Sequence, residues 1–70
     1  ASEAVALLER ATAADPGLWE ARLNLGIAHQ TAGNLNAAAA AYRAVLAAPP
    51  RFSRERQAAS ELLASLDRKR

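Results

Sequence analysis

The fold is decided by residues 19–52, which read WEARLNLGIAHQTAGNLNAAAAAYRAVLAAPPRF. Two stretches rich in alanine and leucine, both strong helix formers, lie on either side of Gly33. Small and apolar residues recur in them at steps of three and four: Leu18, Ala21, Leu25, Ala28 and Ala32, then Leu35, Ala38, Tyr42 and Val45. That spacing places each set on one side of a helix. We therefore expect helices over 18–32 and 35–48, with Gly33 ending the first and Asn34 capping the second.

The residues on either side of this segment carry the same kind of pattern. Residues 2–14 and 53–69 are again rich in alanine and leucine. In the second of these, small and apolar residues recur at helical spacing: Ala59, Leu62 and Leu66. The triplets DPG and APP separate the segments and are typical of turns. We expect two further helices, the last capped by Ser53, and hence an all-α chain of four antiparallel helices.

The chain is also periodic over 34 residues. A shift by that length carries residues 1–16 onto 35–50, and several small, apolar or proline positions then coincide: Ala4 with Ala38, Leu8 with Tyr42, Ala11 with Val45, and Pro16 with Pro50. The same shift carries Leu25 to Ala59 and Gly26 to Ser60. A period of this length that contains two helices indicates a repeated helix pair.

Residues 19–52 resemble the tetratricopeptide repeat. The matching residues are the adjacent Leu25 and Gly26, then Ala28, Gly33, Ala38, Tyr42 and Pro50. The chain departs from the family pattern at three positions: Arg22 in place of tryptophan, His29 in place of tyrosine and Val45 in place of alanine. The resemblance implies a right-handed α-solenoid of antiparallel helix pairs. It extends over a single domain, 1–70, because residues 1–16 resemble the second helix of a preceding repeat and residues 53–70 resemble a capping helix.

Two small residues of this pattern have a predicted role in packing. We expect Gly26 and Ala38 to lie opposite each other where the two helices of the repeat approach most closely, so that a larger residue at either position would force the helices apart. Ala37, Ala40 and Ala41 belong to a less demanding face and are interpreted as helix formers.

The resemblance implies a function, because the first helix of each such repeat lines a concave groove that binds an extended or helical peptide. The residues that correspond to this groove are Glu20, Leu23, Ile27, Gln30 and Thr31. Trp19, Leu23 and Ile27 lie four residues apart and form an apolar stripe on the same helix. Two interpretations of that stripe stay open: it forms a peptide groove, or neighbouring helices of the solenoid cover it. Some family members bind acidic tails through a lysine and an asparagine, but Leu23 and Ile27 occupy those positions, so we expect apolar anchors.

The first prediction is therefore a non-catalytic protein–protein interaction scaffold, and the alternative is self-association or docking within a larger, bacterial-type multidomain protein. A solenoid usually needs about three repeats for stability, whereas this chain has one complete repeat and two flanking helices. Val5, Leu7 and Leu8 on the first helix lack the partner helix that a complete repeat would supply. The expected partners are a protein or peptide, or another copy of the chain.

Basic residues concentrate at the end of the chain. Residues 51–70 hold six basic and three acidic side chains, whereas residues 1–50 hold three and four. Arg51, Arg54, Arg56 and the terminal DRKR have the charge to contact phosphates or acidic lipids. Without interleaved aromatic residues they are better explained as a solvated cap near a helix C-terminus. We predict no nucleic-acid or membrane partner.

Catalysis and metal binding find no support among the residues. The chain has no cysteine and a single histidine, His29, which we expect to pack near Tyr42 or the Gly33 turn. No serine–histidine–carboxylate pattern or glycine-rich phosphate loop occurs, so neither an enzyme activity nor a cofactor is predicted. No apolar run has the ~18 residues of a membrane span. No compartment is predicted, and the absence of methionine favours a piece of a longer protein.

Overall fold

The computed structural model describes residues 2–69 and the side chains of residues 3–68, and its secondary structure is helical throughout. The elements follow in the order α1 (Ser2–Ala14), α2 (Trp19–Thr31), α3 (Leu35–Leu46), a 3-10 turn (Pro50–Phe52) and α4 (Ser53–Lys69). This confirms the all-α prediction, although α2 and α3 are shorter than expected. Ala1, Arg70 and the Lys69 side chain, which belong to the predicted domain ends, lie outside the described residues.

Gly33 ends α2 as predicted. Its φ of +86° lies in the left-handed region that glycine adopts without a steric penalty. The Gly33 amide donates to the Gln30 carbonyl at 3.0 Å, and the Asn34 amide donates to the His29 carbonyl at 2.8 Å. These two bonds form a Schellman motif, which satisfies carbonyls left free at the helix end.

The predicted side-chain caps are not formed. Asn34 holds the N-cap position of α3, but its side chain makes no capping hydrogen bond. Ser53 has helical angles, φ −60° and ψ −35°, because the 3-10 turn continues directly into α4. A capping residue needs a non-helical backbone, so the prediction for Ser53 is wrong.

The hydrophobic core lies mainly between α3 and α4. Its buried members are Ala38, Ala39, Tyr42, Val45, Ala59 and Leu66, with Leu23, Leu35, Leu46, Leu62 and Leu63 packed partly buried against them. This confirms the stripes predicted on α3 and α4. The stripe predicted on α2 is only half-buried, and at its ends Leu18 and Ala32 are exposed, so those two assignments to the core are wrong. Leu18 does not join the buried stripe because α2 begins only at Trp19.

The close approach of α2 and α3 is centred on Gly26 and Tyr42. A Cβ atom added to Gly26 would lie 2.5 Å from Tyr42 Cε1 and 3.2 Å from Ala41 Cβ. Glycine is therefore required for this contact, as predicted, but the residues nearest to it are Tyr42 and Ala41 and not Ala38. Ala41 was interpreted only as a helix former, and that interpretation is wrong.

Helix α1 lies at the edge of this arrangement, packed on α2. None of its side chains at residues 3–14, which the structure describes, belongs to the core between α3 and α4. Thr12 is buried, and its hydroxyl donates to the Glu9 carbonyl at 3.1 Å. Val5 and Leu8 are half-buried, whereas Leu7 is 64% exposed. The helix thus leaves an apolar side chain directed away from the rest of the fold.

Candidate functional site

A groove of about 370 Å³ lies between α2 and α4. The residues that line it are Glu20, Leu23 and Asn24 on α2 and Arg54, Glu55 and Ala58 on α4. The groove forms because α2 and α4 both pack against α3 and also contact each other, which brings one face of each helix to the same surface. Glu20 and Leu23, two of the six residues predicted to bind a partner, therefore share one concave surface.

The lining combines an apolar floor with charged groups that have no partner. Leu23 is half-buried against the core, and Ala58 is half-buried on the opposite helix. Within the side chains that the structure describes, Glu20, Arg54 and Glu55 form no ion pair. A ligand in this groove would thus meet two carboxylates, one guanidinium and an aliphatic surface.

The two apolar neighbours of Leu23 on the same helix face differ in their surroundings. The Trp19 ring packs at 6.5 Å from the Phe52 ring, and the Arg22 guanidinium lies 5.5 Å from the Trp19 ring centroid. Ile27 is 41% exposed. Trp19 is thus anchored to the 3-10 turn that precedes α4, and Ile27 extends the apolar surface one turn beyond Leu23.

The two polar residues predicted at the far end of the groove have partners within the chain. The Tyr42 hydroxyl donates to Gln30 Oε1 at 2.7 Å, and the Thr31 hydroxyl donates to the Ile27 carbonyl at 3.0 Å. Burial raises the pKa of the Tyr42 phenol above its ordinary value of 10.0. The phenol therefore stays protonated, as its bond to Gln30 requires, and Gln30 helps to hold α2 on α3.

The α4 side of the groove was not predicted from the sequence. The 34-residue period contained the signal, because it carries Glu20 to Arg54 and Asn24 to Ala58. Equivalent positions of successive repeats lie on the same side of a solenoid. Glu55, which directly follows Arg54 on the last helix, was found only in the structure.

A second groove, of about 290 Å³, lies between α2 and α3. Its lining is mostly small: Arg22, Leu25, His29, Ala37, Ala40, Ala41 and Ala44. The His29 ring faces α1, with Nε2 4.0 Å from Glu9 Oε2, while its backbone carbonyl belongs to the Gly33 turn. His29 Nδ1 is buried without a hydrogen-bond partner.

In the described part of the chain, neither a metal-binding cluster of side chains nor a membrane-spanning helix is found. No three of its histidine, aspartate and glutamate side chains come together in a group that could hold a metal ion. None of its helices combines the length and the apolar composition needed to cross a membrane.

The comparisons with known proteins agree with the helical repeat. A family model described as Tetratricopeptide repeat matches residues 1–66. Comparison with curated proteins and comparison with solved structures give no match. The family match covers α1, α2, α3 and most of α4, and members of the family generally mediate protein–protein interaction and are typically non-catalytic scaffolds. This chain belongs to the tetratricopeptide repeat family.

Proposed function

We propose that this chain is a non-catalytic interaction module that binds a peptide or a partner helix in the groove between α2 and α4. The observation that carries the proposal is the set of unpaired charges around an apolar floor, Glu20, Arg54 and Glu55 around Leu23 and Ala58. Polar groups that are open to solvent on both sides of a concave surface can each accept a new partner at little desolvation cost.

The floor of the groove favours an apolar anchor. Leu23 and Ala58 offer aliphatic surface, and the exposed Ile27 continues it along α2. Burial of one aliphatic side chain in such a place contributes roughly 1.5–3 kcal/mol before the cost of association. One or two anchors therefore give a reversible contact, which suits a peptide more than a permanent subunit.

The charges of the groove favour a basic partner over an acidic one. Two carboxylates, Glu20 and Glu55, stand against one guanidinium, Arg54. An acidic tail would meet a net negative lining, whereas a lysine or arginine beside the apolar anchor would pair with a carboxylate. The preferred ligand is thus a peptide with an aliphatic side chain next to a basic one.

The test is selection from a displayed library of random peptides, followed by affinity measurements on the selected sequences. We expect enrichment of aliphatic residues next to lysine or arginine. Glu20→Arg reverses a charge on the exposed rim and should weaken binding of such a peptide about tenfold. Asp67→Arg makes the same kind of charge change outside the groove, near the end of α4, and should leave the affinity unchanged.

Ile27→Glu examines the apolar part of the groove separately. The residue is 41% exposed, so its replacement should leave the fold intact, which far-ultraviolet circular dichroism will check. We expect loss of most of the binding, because a carboxylate then occupies the aliphatic surface. Selected peptides that bind Glu20→Arg and Ile27→Glu as well as they bind the original chain would contradict the proposal.

A further inference from the structure

The outward face of α1 has a pattern that its packing on α2 does not use. Glu3, Leu7, Arg10 and Ala14 recur at steps of four, three and four, and all four are exposed. Leu7, at 64%, has the highest exposed fraction among the large hydrophobic residues that the structure describes as exposed. Steps of four and three are the spacing of a seam between two helices.

The other side of α1 is already occupied. Thr12 is buried against the fold, and Val5, Leu8 and Ala11 are half-buried, so these residues mark the face that meets α2. Leu7 points about 140° away from Thr12, since it is five residues before it and successive residues turn by about 100°; Ala11, about 40° from Leu7, lies at the border between the two faces. A partner could therefore cover this outward face, which we call the Leu7 face (Glu3, Leu7, Arg10 and Ala14), without displacing α2.

The charges on this face are complementary to themselves. Glu3 precedes Leu7 by about one turn, and Arg10 follows it by about one turn. Within the described side chains neither Glu3 nor Arg10 forms an ion pair. Two such helices placed antiparallel, with the two-fold axis between Ala6 and Leu7, bring each Glu3 opposite the Arg10 of the other copy. The two Leu7 side chains then meet at the centre.

We propose that the Leu7 face of α1 is covered by the same face of a second copy of this chain, in an antiparallel pair of α1 helices. A two-fold interface requires that each contact occurs twice with the partners exchanged, and the order Glu3, Leu7, Arg10 meets that requirement. A parallel pair would set Glu3 against Glu3 and Arg10 against Arg10, and like charges that face each other destabilise a helix pair. The charge order therefore selects the antiparallel arrangement.

The size of the surface sets the strength of the pair. Helix α1 has 13 residues and is about 20 Å long. A contact through one helix of this length buries less than the roughly 1,200 Å² that stable interfaces reach. The dimer is consequently weak, forms at high protein concentration and loosens as salt screens the two ion pairs.

Sedimentation equilibrium of the 70-residue chain over a wide concentration range tests the proposal. We expect a reversible monomer–dimer equilibrium in the original chain, and Leu7→Glu should weaken it at least about tenfold. Leu18→Glu is the matched control, because Leu18 is also an exposed leucine, at 42%, but lies outside α1. It should dimerise like the original chain, and far-ultraviolet circular dichroism will verify that both variants are folded.

A charge exchange tests the antiparallel register. Glu3→Arg alone places arginine against Arg10, and Arg10→Glu alone places glutamate against Glu3, so each variant should dimerise more weakly than the original chain. In an equimolar mixture the two variants should associate with each other, since both opposed pairs are then of opposite charge. Both substitutions lie on the exposed surface and leave the contacts with α2 unchanged.

Several results would overturn the proposal. An original chain that stays monomeric at the highest soluble concentration would exclude the dimer. Dimers that tolerate Leu7→Glu but are lost in Leu18→Glu would place the interface elsewhere. Variants that fail to associate in the mixture, while the original chain dimerises, would exclude the antiparallel pairing of Glu3 with Arg10.

Discussion

Helices α1 and α3 occupy the same position in the 34-residue period but have different surroundings. Tyr42 and Val45 on α3 are fully buried, whereas their counterparts on α1, Leu8 and Ala11, are only half-buried. Helix α3 packs against α2 and against α4, while α1 packs against α2. The helix that packs against two neighbours thus holds the fully buried side chains, and the helix that packs against α2 holds half-buried ones.

The unequal burial also separates the helix that contributes to the core, α3, from the helix that keeps an exposed apolar side chain, α1. The core between α3 and α4 holds the positions of α2 and α4, and so it shapes the groove between them. Helix α1 adds no side chain to that core and keeps the Leu7 face open. We therefore expect stability to depend mainly on α3, whereas the exposed face of α1 is the one that we propose as a dimer contact.

Replacement of the equivalent residues Tyr42 and Leu8 gives the largest expected contrast. Tyr42→Ala should lower the free energy of unfolding by about 3–5 kcal/mol, because it empties the centre of the core. Leu8→Ala should cost about 1 kcal/mol, because its side chain is only half-buried. Urea unfolding followed by circular dichroism measures both, with Tyr42→Leu as a substitute if Tyr42→Ala shows no folded baseline. Equal losses at the two positions would contradict the comparison.

A second contrast concerns the close approach of α2 to α3. Gly26→Leu should destabilise the chain by about 1–3 kcal/mol, because even its Cβ would overlap the Tyr42 ring. Ala40→Leu adds similar bulk on an exposed position of α3 and should change the stability by less than about 0.5 kcal/mol. The midpoints of urea unfolding measure the difference. Identical midpoints for the two variants would show that α2 and α3 meet through other residues.

Removal of the Tyr42 hydroxyl tests a polar contact between α3 and α2 that Leu8, the counterpart of Tyr42 on α1, cannot make. Tyr42→Phe deletes the donor to Gln30 Oε1 and should cost about 0.5–1.5 kcal/mol. The urea midpoint of Gln30→Ala in the Tyr42→Phe background shows whether the effect belongs to this pair. If Gln30→Ala lowers the midpoint equally with and without the hydroxyl, the hydrogen bond contributes nothing to stability.

The same hydroxyl predicts a loss of stability in alkali. Burial raises the pKa of Tyr42 above its ordinary value of 10.0, so the unfolded chain releases this proton at lower pH than the folded chain does. The stability from the protonated phenol is thus complete below pH 10.0 and declines as the pH rises through the raised pKa. Tyr42 is the only tyrosine, so phenolate absorbance measures its titration directly. Tyr42→Phe should lack this part of the alkaline decline.

The smallest expected effect concerns the ion-pair contact between α1 and α2. Glu9→Ala removes the carboxylate 4.0 Å from His29 Nε2, and Glu9 is largely exposed. A 4.0 Å contact with an exposed carboxylate contributes about 0–1 kcal/mol at most, so the variant should be less stable by at most about 0.5 kcal/mol. A larger shift of the urea midpoint would mean that α1 contributes more to stability than its burial indicates.

Local rules were sufficient to predict the helices and the faces of α3 and α4. The left-handed turn needs a residue without a Cβ, which Gly33 supplies, and the three–four spacing that includes Tyr42, Val45 and Leu66 identifies the buried stripes. Gly26 could be assigned to the close approach for the same reason. The residue that lies nearest to Gly26 could not be predicted, because the register of two packed helices depends on their crossing angle. In the structure this residue is Tyr42 and not Ala38.

The candidate site was predicted in part. Glu20 and Leu23 were assigned to a groove by the resemblance to the repeat family, and both lie on the concave surface between α2 and α4. The role of Gln30 could not be predicted, because its hydrogen bond to Tyr42 joins residues 12 apart and depends on how the two helices pack. Arg54 was assigned to a solvated cap from its charge, and only the packing of α4 beside α2 places it in the groove.

Native-state amide hydrogen exchange, measured residue by residue in dilute solution, tests the difference between α1 and α3 most directly. Amides in the middle of α3, around Tyr42 and Val45, should exchange only through global unfolding because both neighbouring helices cover them. Amides in the middle of α1, around Leu7 and Leu8, should exchange faster through local opening. Protection of α1 equal to that of α3 in dilute solution would contradict the account.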